Sequence, residues 1–314
     1  MQNPAQATER PGEVAARAQL FAKVYAQMGY AGMNVGAHEL GYGLTELRAF
    51  GKAAKMPLLS ANIRDAKTDK HAFEPYLVRQ MGPLKVAVFG LVTPQPMEPG
   101  KLFADQGLKA LDPVAVARDL VPELRKLGVD TVVVLSQLRR SEIEALANQV
   151  PGIDLVLGSM DMELTMQPLT LGKQALFADA FTKGKYIAEV TISVRGRRDR
   201  LYAANARDAK IAERADASRQ VQEFAAQLES AGQPGSALQL NDETKKVLES
   251  QLVAARARQQ RLTMEIEGSD GSLPADASTV DLVAAALAAT VVDDPTVDKW
   301  VKAHQEKFPK VGGH

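Results

Sequence analysis

Residues 85–92 read Lys-Val-Ala-Val-Phe-Gly-Leu-Val, an almost unbroken apolar run fenced by Pro83 and Pro94. Such a run, bounded by residues that cannot continue a hydrogen-bond ladder, predicts a central strand buried on both faces. A strand of this kind needs a layer above it and a layer below, which fixes the architecture before any motif is read. The flanking sequence supplies those layers. Apolar residues at helical spacing predict a helix over 14–28, with Leu20, Phe21, Val24, Tyr25 and Met28 on one face, closed by Gly29. Further helices are expected over 44–54, 113–127 and 141–149, alternating with short apolar strands at 58–62, 131–135 and 154–157. That alternation means an α/β protein. Beyond it, 175–180, 186–194 and 201–204 read as strands with no helix between them, which indicates an antiparallel edge or a second sheet. The cluster Arg195-Gly196-Arg197-Arg198-Asp199-Arg200 falls between two of these strands and reads as a solvated hairpin loop.

From about Asp208 the composition turns to Ala, Gln, Glu, Arg and Lys. Ile211, Ala215, Val221, Phe224, Ala225 and Leu228 form one apolar stripe, and Val247, Leu248, Leu252, Ala255, Ala257 and Leu262 form another. Gly232-Gln233-Pro234-Gly235 breaks between them, and Asn241 or Asp242 caps the second helix, so an antiparallel helical hairpin is expected. After a link at 268–274, residues 279–289 and 296–308 read as a final helical region, with Trp300 docking the C-terminus on the body. The expected division is 13–205, a helical hairpin at 206–267, and a C-terminal helical tail at 268–314.

Bulk composition narrows the function. A chain of 314 residues, 46% hydrophobic, buries a substantial core. Lys+Arg and Asp+Glu are 38 each, so no net charge steers the chain toward nucleic acid or an anionic membrane. Absence of cysteine removes disulfides, thiolate metal sites and cysteine nucleophiles. No run reaches the roughly 20 apolar residues that span a bilayer. The start of the sequence is polar and does not read as a signal peptide, so the expectation is cytoplasmic, or exported if a leader has been removed. No Walker A loop, dinucleotide fingerprint or Gly-x-Ser-x-Gly elbow occurs.

The run Asn34-Val35-Gly36-Ala37-His38-Glu39-Leu40-Gly41-Tyr42-Gly43, read with Leu59-Ser60-Ala61-Asn62-Ile63, resembles the calcineurin-like metallophosphoesterases, in their 5'-nucleotidase branch. That family writes the first stretch as Gly-Asn-His-Glu-Phe-Asp-Tyr-Gly, where the Asn is a metal ligand and the His a proton donor or phosphate-binding group. Here His38 remains, as a vestigial catalytic residue, and the ligand position is Ala37. The family's Leu-Ser-His-Leu-Gly corresponds to Leu135-Ser136-Gln137-Leu138-Arg139. Its Gly-Ile-Asp-Leu-Ile-Leu-Gly-Gly-His-Ser-His corresponds to 152–162, so both histidines become Met160 and Met162 around Asp161. The family's opening Asp-x-His and Gly-Asp motifs do not occur in the sequence. The resemblance runs over about 19–204.

It implies a two-sheet sandwich flanked by helices over 13–205, with the helical hairpin appended. Phosphoesterases of this kind hold two metals about 3.5–4 Å apart. Four histidines, His38, His71, His304 and His314, cannot build a histidine-rich pair of metal sites. Met160 and Met162 are expected as core filling, since thioethers suit Cu(I) better than Mn, Fe or Zn. Two smaller alternatives are a one-metal site from Asp161, Glu163 and His38, and an anion site near Arg139, Arg140 and His38, with Arg139 plugging the old pocket by default. The expected function is a catalytically degenerate module without cofactor, acting structurally or through the hairpin on a second copy or a protein partner. The alternative is a phosphoester or nucleotide hydrolase with an atypical or mononuclear site using Mn or Zn. The relatives are mostly exported, which favours a periplasmic or exported location.

Overall fold

The computed structural model describes residues 12–309 apart from 42, 96–101, 162–163, 182–183, 205, 232–241, 269–272 and 288–290. Helix α1 (Glu13–Met28) leads into β1 (Met33–Asn34), the single turn α2 (Ala37–Leu40), α3 (Leu44–Ala53) and β2 (Leu58–Leu59). Strands β3 (Ile63–Asp65), β4 (Tyr76–Met81) and β5 (Leu84–Val92) follow, then α4 (Leu102–Asp105) and β6 (Leu108–Ala110). An alternating stretch comes next: α5 (Pro113–Lys126), β7 (Thr131–Gln137), α6 (Arg140–Gln149) and β8 (Leu155–Leu157). Strands β9 (Leu169–Leu171), β10 (Ala175–Ala178), β11 (Tyr186–Ser193) and β12 (Arg197–Ala203) precede the long helices α7 (Ala206–Ala231) and α8 (Asp242–Gly268). Strand β13 (Ala277–Ala286) and helix α9 (Pro295–Lys307) close the described chain.

The central sheet has the order β4-β5-β7-β8-β10-β9, with β5, β7, β8 and β10 parallel and the two outer strands antiparallel. β5 lies inside it, and its side chains alternate as a strand buried on both faces must. Ala87, Phe89 and Leu91 face the helices, against Ala117, Val121 and Leu124 of α5 and Ile143 and Leu146 of α6. Leu84 and Val86 face the other way, toward Leu201, Ala203 and Val280 of a second, three-stranded sheet ordered β11-β13-β12. The result is a helix layer, a six-stranded sheet and a smaller sheet, the mixed α/β sandwich expected from the sequence.

One buried ion pair joins the helix layer to the sheet. Asp154 accepts the Val132 N–H at 2.7 Å and the Arg125 guanidinium at 2.5 Å, while Arg125 also donates to the carbonyls of Val129, Asp130 and Gly152. Burial pushes the Asp154 carboxyl above its usual value, and the Arg125 charge and the Val132 N–H pull it back.

Three expectations are corrected. Of residues 279–289, expected as helix, 279–286 form most of β13, which pairs antiparallel with β11 over eight positions and parallel with β12; 288–289 lie outside the described residues. Alanine favours helix, but Ala277, Ser278, Val280 and Leu282 are buried at strand positions between two neighbours, and tertiary pairing overrides propensity. Of the C-terminal tail, only α9 is helical among the described residues; it packs on α1, with the Lys23 ammonium 3.7 Å from the Trp300 ring centroid. The Arg195–Arg200 cluster is not a hairpin loop: Arg197 already begins β12, and β13 separates β11 from β12.

Helices α7 and α8 pack on each other as a hairpin, with Gln259 donating to the Ser218 hydroxyl and Arg258 paired with Glu213. The buried positions of α8 are Leu248, Ala255, Leu262 and Ile266, with Leu252 and Gln259 half-buried between them, a spacing of three and four. That is a two-helix coiled-coil seam. It differs from the stripes read in the sequence, since Ile211, Ala215, Val247 and Ala257 stay exposed. The break at 232–235 and Asn241 lie outside the described residues.

Candidate functional site

The parallel strands β5, β7 and β8 end on one edge of the sheet, and the turn after β1 is brought onto it. Crevices outside the carboxyl ends of parallel strands are where ligands bind in open α/β sheets. The side chains there are Gln137 at the end of β7, Thr93 after β5, Ser159 and Met160 after β8, and Ala37 and His38 at the start of α2.

Why Gln137 sits where it does follows from Gly36. A Cβ on Gly36 would lie 1.7 Å from Gln137 Oε1, so glycine at 36 leaves the space that the Gln137 amide fills. Gln137 Oε1 then accepts the Ala37 N–H at 2.8 Å. Glu39 Oε2 accepts the Gly36 N–H at 3.0 Å and completes the cap of α2. Ala37 is buried and offers no donor atom; His38 is exposed on the first turn.

A second close approach holds β1 to the sheet. Gly90 makes room for Asn34, whose Nδ2 donates to the Leu91 carbonyl at 3.0 Å. Asn62 is fully buried and occupied on both sides: Nδ2 donates to the Val92 and Leu111 carbonyls, and Oδ1 accepts the Val92 N–H. The Ser60-Ala61-Asn62 stretch is therefore a staple of the backbone.

The remaining expected residues lie at the rim. Arg139 is exposed, and its guanidinium reaches the Gln95 carbonyl at 3.4 Å, so it does not plug the cleft. Arg140 pairs with Glu144 at 3.1 Å and lies over the Phe177 ring. The Asp161 carboxylate accepts the Arg140 N–H and caps α6. Met160 is half-buried, its N–H bonded to the Leu138 carbonyl. Met162 and Glu163 lie outside the described residues.

Two polar pairs were not anticipated from the sequence. Ser159 donates to Asp179 at 2.6 Å across the ends of β8 and β10, and Asp179 is buried. Thr93 donates to Glu142 at 2.8 Å. The signal for the first was legible: a carboxylate directly after the apolar run 175–178 must find a donor.

Divalent metals of the phosphoesterase type need oxygen or imidazole donors converging from several strand ends. The described residues do not fit that group. Ala37 has no donor, the Gln137 oxygen is taken by a backbone N–H, Met160 offers a soft sulfur, and Asp161 is turned to a helix cap. Among the described residues no three His, Asp or Glu side chains gather as a metal-binding group.

No family model matches the chain. It is 35% identical over 146 residues to the 2',3'-cyclic-nucleotide 2'-phosphodiesterase/3'-nucleotidase of Salmonella typhimurium, covering 41% of this chain and 23% of that protein. It is 36% identical over 104 residues to the 5'-nucleotidase of Vibrio cholerae, covering 33% and 19%. The fold superposes on the calcineurin-like phosphoesterase YfkN of Bacillus subtilis with a TM-score of 0.56 at 14% identity, covering 94% of this chain and 78% of that one. The matched region is similar to the 5'-nucleotidase branch of the calcineurin-like metallophosphoesterases. This metallophosphoesterase region spans only about a fifth of the curated relatives' length. Within it, the segments that the resemblance matches to the family's metal motifs cap α2 and α6 here.

Proposed function

We propose that this chain is a metallophosphoesterase scaffold in which the metal-binding strand ends have become backbone caps, and that it works as a structural or interaction module without a metal cofactor. The supporting observation is the Gln137–Ala37 hydrogen bond. Two positions that the family resemblance assigns to ligands are joined to each other, and moving Gln137 toward a metal would leave the buried Ala37 N–H without its acceptor. The interaction surface in this reading is the α7–α8 hairpin, which packs chiefly on itself and leaves Val253 and Met264 about two-thirds exposed. The occupant is a second copy or a protein partner. An exported location accords with the family resemblance, and no helix among the described residues is long and apolar enough to cross a membrane.

A second reading is a metal-dependent phosphoester hydrolase using Mn or Zn; the activities in the names of the Salmonella and Vibrio relatives favour it. One experiment separates the two. Metal content is measured after incubation with Mn²⁺, Zn²⁺ and Fe²⁺, with turnover of AMP and bis-(p-nitrophenyl) phosphate on the same sample. The module reading expects metal far below stoichiometric and no turnover. Near-stoichiometric metal, with turnover abolished by His38→Ala, overturns it in favour of the hydrolase.

A further inference from the structure

Away from the strand ends, a cleft of about 470 Å³ opens between β3 and α5, within the range of small-molecule sites. Its floor is apolar: Ala61, Leu111, Ala115, Val116 and Leu120. One wall is basic. Arg64 pairs directly with Lys109 of β6 on one side and with His71 on the other, so three basic side chains stand in a row on one face of the ribbon. Like charges directly opposite one another repel; Asp69, which meets Lys109 at 2.8 Å and also feels the Arg64 charge, and Glu74 beside His71 offset part of that repulsion. Arg64 Nε is buried and has no hydrogen-bond partner among the described residues. A buried guanidinium N–H without an acceptor carries its full desolvation cost.

The opposite wall is acidic, formed by Asp112, Asp119 and Glu123 of α5 and its cap. Asp112 is occupied in accepting the Ala115 N–H at 2.7 Å. Asp119 and Glu123 remain, one helical turn apart and on the same side.

We propose that this cleft binds a small zwitterion, a free amino acid or short peptide, with its carboxylate on Arg64 and His71 and its ammonium toward Asp119 and Glu123. A carboxylate is the geometric match for the guanidinium of Arg64, which lines the cleft. The acidic wall selects against phosphate, whose two charges would face two carboxylates. His71 adds to the anion-binding wall; burial and the neighbouring Arg64 charge hold its pKa below the usual value, so a ligand carboxylate would favour its charged form. This site is separate from the strand-end cleft and stands whichever reading of that cleft holds.

Calorimetric titration of the full chain with the common free L-amino acids, one at a time, tests it, with propionate, ethylamine and inorganic phosphate as charge controls. Saturable binding on the order of 1 mM or tighter is expected for at least one amino acid, and none for the three controls. Arg64→Gln is expected to weaken that binding by about tenfold or more. Should Arg64→Gln fail to fold, Asp119→Asn with Glu123→Gln, both on the exposed face of α5, is expected to give the same loss. The proposal is overturned if no amino acid saturates, if propionate or phosphate binds as tightly, or if folded variants bind like the unaltered chain.

Discussion

The Gln137 amide reaches from the end of β7 to the Ala37 N–H, and the missing Cβ of Gly36 is what admits it. Replacing Gln137 by Ala removes the acceptor from a buried N–H, so a loss of about 1–2 kcal/mol is expected in urea unfolding. Gly36→Ala must displace the same side chain and should cost a similar amount. The two are in contact, so the double variant is expected to lose clearly less than the sum, because a Cβ on Gly36 has nothing to strike once Gln137 is shortened. Additive losses would show that the cap is not shared. His71 gives a pH effect. Its folded pKa lies below its ordinary value of 6.5 through burial and Arg64. The unfolded chain therefore takes up that proton first, and stability falls as pH drops below about 6.5. His71→Gln should flatten that part of a stability-against-pH curve measured by thermal unfolding. His38 and Gln137 were both legible in the sequence as positions; that Gln137 bonds to Ala37 was not, because the two are 100 residues apart.

At the scale of elements, β5 and β13 make opposite cases. The apolar run 85–92 could only be a buried strand, and its alternation between two layers follows from the pleat. Segment 277–286 carries four alanines and overlaps the 279–289 stretch that reads as helix, yet it is the middle strand of the second sheet. What decides it is the pair of neighbours it finds, neither of them close by in the sequence. Leu282 is buried on its inner face, and Leu282→Ala is expected to cost about 2–4 kcal/mol, measured by urea unfolding. Removing residues 273–309 leaves β11 and β12 unpaired, and such a chain is expected to aggregate on size-exclusion chromatography. The coiled-coil seam of α7 and α8 shows a milder form of the same limit. Helices were evident from composition, but which of several apolar stripes meets the partner depended on the partner helix.

For the whole molecule, the hairpin is a separate piece on a layered body. β12 and β13 are parallel, so their connection must cross over and cannot be a tight turn. The hairpin makes that crossover and contributes little packing to the sheets. Replacing 206–268 by a flexible Gly/Ser linker of about a dozen residues, the length a parallel crossover needs, should leave the body's thermal midpoint within a few degrees. If the hairpin is the interaction element, the same replacement should lower the mass found by light scattering or release a cross-linked partner. A body that unfolds without the hairpin would mean that α7 and α8 are structural supports. The sequence by itself determined the layered α/β body, the β5 strand, the two long helices and the residue types, Ala and Met, at positions 37, 160 and 162. These are local facts of composition and period, set by side-chain type and spacing. The tertiary structure decided the strand at 277–286, the Gln137–Ala37 cap, the Ser159–Asp179 pair and the basic row at Arg64. Apart from the Arg64–His71 pair, these join segments 20 or more residues apart, and packing brings such segments within hydrogen-bond or strand-pairing distance.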